Sequence, residues 1–114
     1  MKLLIIVLNK TECLERLLTR FGENEIMGAT IIDSKGMAQE LDQLDDLEFM
    51  LSLRTLIHPA HHANKTIFML VPEEKVAKVS QIVNQVTGGL GKPATGILFT
   101  VPIDHIEGLW EEKA

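Results

Sequence analysis

Three groups of residues have types and spacings that can do chemistry. The first is Gly88-Gly89-Leu90-Gly91-Lys92-Pro93-Ala94-Thr95-Gly96, four glycines and a lysine in one short stretch. Without Cβ atoms, backbone amides there can approach an anion closely, and Lys92 adds positive charge. This is not a Walker A loop, because Val86 stands where that motif needs its first glycine and Pro93 where it needs Ser or Thr. A helix stopped by glycine and followed by a turn accounts for the same residues. The second group is His58, His61 and His62 around Pro59, a spacing at which imidazoles can share Zn²⁺ or another transition metal. Surface histidines at a helix end are the plainer account. The third is Cys13, alone in the chain and at the start of a predicted helix. A small buried hydrophobe is the favoured reading for it. His105 stands apart from the other histidines and is assigned no role. No Ser-His-Asp arrangement is visible, so a non-enzymatic protein is expected.

The elements that must position these groups follow from the apolar pattern. Leu3–Leu8 is a short apolar run bounded by polar residues, a first strand. Asn9 with Glu12 fits a capping box, and Leu14, Leu17, Leu18 and Phe21 recur at helical spacing toward a stop at Gly22. Met27–Asp33 is predicted as the second strand and Thr66–Val71 as the third. Pro72, Glu73 and Glu74 suit the opening of a second helix, whose stripe is Val76, Val79, Val83 and Val86 and whose end is Gly88-Gly89. Gly96–Val101 is the fourth strand. The order βαββαβ predicts an α+β, ferredoxin-like sandwich: a four-stranded antiparallel sheet with two helices on one face. The 114 residues make a single domain.

Two features go beyond that minimal fold. The first and third strands are apolar at nearly every position, although a sheet covered on one face should alternate. In this topology those strands are central, so both their faces require burial while two helices cover only one. Another copy of the chain is the simplest cover; a long loop or the C-terminus folding over it is the alternative. The second feature is the connection 36–65, thirty residues where about 2–5 suffice. Its carboxylates are Glu40, Asp42, Asp45, Asp46 and Glu48, and its apolar residues Leu41, Leu44, Leu47, Phe49, Met50, Leu51, Leu53, Leu56 and Ile57. An amphipathic helix ending before Pro59 is expected, docked on its own domain, a neighbouring subunit or a partner protein.

Composition excludes several functions. The formal net charge is −5, against the basic footprint of a phosphate-backbone binder. Aromatic residues are 4% with no Tyr, and the predicted central strands carry only Phe68, so an RNA-recognition surface is not expected. One cysteine allows no intramolecular disulfide. The apolar run after Lys2 stops at Asn9, too short for a signal peptide, and no run reaches the ~18 residues of a membrane span. A cytoplasmic protein without direct membrane insertion is expected.

Taken together, Thr30 and Gly36 on and after the second strand, the long connection to Leu70-Val71-Pro72-Glu73, and the glycine-rich loop running into Gly96-Ile97-Leu98-Phe99 resemble the P-II nitrogen-regulatory signalling family. The resemblance spans nearly the whole chain except the interior of the 36–65 connection. It implies a homotrimer of ferredoxin-like subunits with inward-facing sheets, a small ligand in each intersubunit cleft, and a T-loop-like 36–65 segment that regulates a partner protein, an enzyme or a transporter. ATP, ADP, AMP or another adenine nucleotide is the implied ligand, with no obligatory cofactor. Thr30, Gly36, Met37, Gly88, Gly89, Gly91, Lys92, Thr95 and Gly96 would line the cleft, Lys92 meeting phosphate. The chain departs from typical members at three points: Ile97 replaces a lysine, 104–109 lacks arginine, and no T-loop tyrosine exists. Gln39 lies one residue out of register with the family's effector-contacting glutamine. A divergent member is thus implied. The alternative is a metal-binding trimer of the same fold, resembling divalent-ion-tolerance proteins and using His58, His61 and His62. A third reading is a structural adaptor with a permanently docked 36–65 segment.

Overall fold

The computed structural model describes residues 1–37, 40 and 63–109. Among them run β1 (Lys2–Leu8), α1 (Leu14–Glu23), β2 (Thr30–Ser34), β3 (Asn64–Val71), α2 (Val76–Thr87) and β4 (Gly96–Pro102). Each helix is entered through a 3₁₀ turn, Thr11–Cys13 and Glu73–Lys75. The strands form one sheet in the order β2-β3-β1-β4, and every neighbouring pair is antiparallel. This mixed α+β architecture is compatible with a ferredoxin-like fold, and β1 and β3 are its two central strands.

Strand periodicity divides the sheet into two unlike faces. On one face Leu4 pairs with Met69 and Ile6 with Ile67. These four, with Leu8 and Val71, are buried against Leu17 and Phe21 of α1 and Val79, Ile82, Val83 and Val86 of α2. The stripes expected on both helices are therefore the core stripes, with Leu14, Leu18 and Val76 packed partly buried at their margins. Each fully buried aliphatic side chain contributes about 1.5–3 kcal/mol. Cys13 is buried in this cluster as a free thiol and donates a 3.7 Å contact to the Val86 carbonyl.

On the opposite face the pairs are Leu3–Leu70, Ile5–Phe68, Leu3–Val101, Ile5–Phe99 and Val7–Ile97, with Ile32 beside Thr66. Nine apolar side chains thus share one surface across four strands. Ile97 is 56% exposed, Ile32 46%, Phe99 and Val101 42% and Leu70 37%. The expectation that two helices leave half of the central strands' apolar surface uncovered agrees with this arrangement. From strand spacing and rise, the patch measures on the order of 300 Å², the size of the largest apolar patch on a typical monomer, which is often functional.

Four boundaries differ from the sequence-based expectation. No capping box forms: neither helix entrance has a side-chain cap, because Asn9 and Lys10 direct their amides to the Thr95 carbonyl at 3.0 and 3.1 Å. Helix α1 runs through Gly22 and ends one residue later, at Glu23. There Ile26 N–H reaches the Phe21 carbonyl at 2.8 Å and Glu25 N–H the Gly22 carbonyl at 3.1 Å, a Schellman motif whose left-handed residue is Glu25, at φ 60. Strand β2 starts at Thr30 rather than Met27, since Gly28 at φ 83 breaks the extended chain. Strand β3 starts two residues early, at Asn64, which pairs with Ser34. The end of α2 agrees with expectation: Gly88 takes the left-handed C-cap, φ 87.

Of the 36–65 connection, Gly36, Met37, Glu40 and 63–65 are described. Glu40 N–H donates to the Gly36 carbonyl at 3.2 Å. The expected amphipathic helix falls outside the described residues. No helix among the described residues is long and apolar enough to cross a membrane.

Candidate functional site

The predicted ligand residues fall into two groups, all but Thr30 at the end of the sheet where β1 and β2 finish and β3 and β4 begin. The first is the glycine loop between α2 and β4. Gly88 N–H donates to the Asn84 carbonyl, Gly89 N–H to Thr87 Oγ1, Leu90 N–H to Asn84 Oδ1 at 2.8 Å and Lys92 N–H to the Gly89 carbonyl. The amides of Gly91, Ala94 and Thr95 find no acceptor among the described residues. The loop therefore folds on its own hydrogen bonds and leaves those three amides without an acceptor among the described residues.

Its glycines are not equivalent. A Cβ on Gly96 would lie 2.6 Å from the Val7 carbonyl oxygen, at φ 152, so glycine is required there for β4 to approach β1. Gly88 and Gly89 have φ 87 and 120 and serve the turn. Gly91 has an ordinary φ and open space around its Cβ position; neither packing nor backbone requires glycine at that point. Thr95 is buried, its hydroxyl donating to the Pro93 carbonyl at 3.3 Å. Two ammonium groups lie near the C-terminus of α2. Lys10 Nζ donates to the Thr87 carbonyl at 3.0 Å, and Lys92 Nζ would lie 3.9 Å from a Cβ placed on Gly88. Lys10 is thus engaged in capping the helix, while exposed Lys92 is the cation in reach of an incoming anion.

The second group is Thr30, Gly36 and Met37, on and just beyond β2. Thr30 is exposed and pairs with Phe68, which puts it on the apolar face rather than at the sheet's end. Gly36 and Met37 follow the strand's finish, with Met37 78% exposed. β3 and β1 stand between β2 and β4, so the two groups lie about 14 Å apart across the sheet within one subunit. The loop residues are brought together; Thr30, Gly36 and Met37 are not brought to them by a single chain.

Sequence reasoning missed a polar cluster beside Gly36. Ser34 Oγ hydrogen-bonds Asn64 Oδ1 and lies 2.8 Å from Thr66 Oγ1. A Cβ on Gly36 would stand 3.5 Å from Asn64 Nδ2. No local signal announces this, because the partners are thirty residues apart in sequence.

His58, His61 and His62 fall outside the described residues. Among the described residues, no group of three or more His, Cys, Asp or Glu is placed to hold a metal ion. His105 Nε2 lies 3.0 Å from Glu107 Oε1, a fully solvated pair of little weight. A shallow cavity of about 290 Å³ opens elsewhere, between α1 and the start of β2, lined by Leu18, Phe21, Ile26, Met27, Ala29 and Ile31. Those side chains are all apolar, whereas the glycine loop carries amides and an ammonium. No family model matches the chain, and no curated protein matches it either.

Proposed function

We propose that this chain is a divergent P-II-like regulator, a non-enzymatic cytoplasmic homotrimer of ferredoxin-like subunits. It binds an adenine nucleotide in clefts between subunits and regulates a partner protein, an enzyme or a transporter, through the 36–65 segment. The observation that supports this most is the nine-residue apolar face opposite the helices. The position of the two ligand groups supports it too. Gly36 with Met37 and the glycine loop occupy opposite edges of the sheet at the same end, and a closed ring sets the β2 edge of one copy beside the β4 edge of the next. Each cleft then combines Gly36 and Met37 of one subunit with the glycine loop and Lys92 of its neighbour. Nucleotide occupancy biases the 36–65 segment between conformers of unequal partner affinity.

Sedimentation and calorimetry test the two parts separately. A particle three times the 12.7 kDa chain is expected; a lone chain at micromolar concentration removes the assembly and its clefts. Titration with ATP, ADP, AMP and cyclic AMP is expected to release or absorb heat with at least one; no heat and no thermal shift with any removes the nucleotide.

A further inference from the structure

Two apolar features at one end of the sheet are left over once the core is accounted for. The first is the groove between α1 and β2. Its lining side chains are wholly apolar, and among them Met27 is 78% exposed and Ile31 39%. The second is the chain beyond β4. Ile103 N–H donates to the Met1 carbonyl at 3.4 Å, and 104–109 then run on as neither helix nor strand. Ile103, Ile106 and Leu109 recur there at every third residue. None of the three packs against the buried cluster, and Leu109 is 45% exposed. Lys2 pairs with both Val71 and Pro102, and Thr30 with Phe68. The start of β2 and the end of β4 therefore share one end of the sheet, away from the glycine loop. They stand on opposite edges, about 14 Å apart, and no residue of 103–109 lines the groove of its own subunit.

We infer that the 103–109 tail of one copy of the chain docks in the groove between α1 and β2 of a second copy, with Ile106 and Leu109 as its anchors. This deepens the proposed assembly and rests on it. A ring that sets the β2 edge of one subunit beside the β4 edge of the next brings a tail to a groove at that shared end. The contact joins two different surfaces, and such head-to-tail contacts generate rings. Each subunit gives one tail and receives one, so a closed ring leaves neither feature over. The three-residue spacing lets the apolar side chains turn to one side. Asp104, His105 and Glu107, which lie between them and are exposed, then stay in water, and no charge is desolvated.

Disulfide cross-linking on the full chain tests this, since the native Cys13 is buried. Met27→Cys and Ile106→Cys are prepared separately, mixed, allowed to exchange subunits and oxidised. The mixture is expected to give a covalent two-chain species that neither variant gives alone. A chain carrying both substitutions is expected to give two- and three-chain species. Leu109→Asp is expected to raise the half-assembly concentration at least about 10-fold, and Leu109→Met to leave it near that of the parent. Both lie outside the core, so far-UV circular dichroism should not change. A three-chain particle in sedimentation without the mixed cross-link overturns this inference and leaves the assembly standing. So does a doubly substituted chain that closes only an internal disulfide, because the tail then fills its own groove. An unchanged half-assembly concentration in Leu109→Asp overturns it as well. A lone chain in sedimentation overturns both.

Discussion

Replacing Phe99 by serine separates the apolar face from the core. Phe99 lies on the face opposite the helices, paired with Ile5, and stands outside the buried cluster. The subunit therefore keeps its core when the ring is removed, and its far-UV circular dichroism should not change. With 42% of the residue exposed, roughly 80 Å² of ring remains for a neighbour to cover, given ~200 Å² for a whole phenylalanine. At about 25 cal/mol per Å² that is about 2 kcal/mol per copy, or ~6 kcal/mol for a trimer. Since 1.4 kcal/mol is tenfold, the three-chain association constant falls ~10⁴-fold. The concentration at half-assembly varies as the inverse square root of that constant, so it should rise ~100-fold. Sedimentation velocity over a dilution series reads this directly. A Phe99→Ser protein that assembles at the same concentration as the parent would refute the reasoning, because the exposed ring would then not lie in the subunit contact.

Glu25→Gly should stabilise the chain by about 1 kcal/mol, because glycine adopts the left-handed position after α1 without the Cβ clash that glutamate carries; thermal melting should show a rise of a few degrees. Gly96→Ala should cost about 2 kcal/mol or more, since its Cβ would lie 2.6 Å from the Val7 carbonyl oxygen. Gly91→Ala meets nothing within 4 Å and should leave the melting temperature unchanged while weakening nucleotide binding; equal melting losses at both glycines would contradict this division of roles. Lys92→Ala should reduce AMP affinity about 10-fold, as expected for a charge-assisted hydrogen bond to phosphate, and calorimetry at fixed ionic strength measures it.

The framework was legible because local pattern and core agree. Leu14, Leu17, Leu18 and Phe21, and Val76, Val79, Val83 and Val86, are spaced as helix stripes, and all pack in or against the buried cluster. The helix ends were less legible. Gly22 looks like a stop, yet α1 continues, because burying Ile26 beside Phe21 outweighs the left-handed cost at Glu25. The Asn9–Glu12 capping box competes with the Thr95 carbonyl, which lies beyond any local window, and the carbonyl takes the amides.

The candidate site was legible only in part. The glycine loop is contiguous, so its residues meet wherever it folds. A Cβ-less position reads the same in sequence whether it serves a ligand or a strand crossing, and Gly96 proves to serve the crossing. Asn64 left no mark in the sequence, since its meaning depends on a strand partner thirty residues away.

By itself the sequence determined the strands, the helix stripes and the excess of apolar side chains on β1 and β3, because these follow from periodicities of two and 3.6 residues along a continuous chain. Tertiary structure alone decided which apolar residues stay uncovered. It also decided that Gly36 and the glycine loop sit on opposite edges of one sheet, and that Ser34, Asn64 and Thr66 meet. The physical reason is that strand pairing joins residues by register across space, and no local pattern encodes which distant strand will be the neighbour.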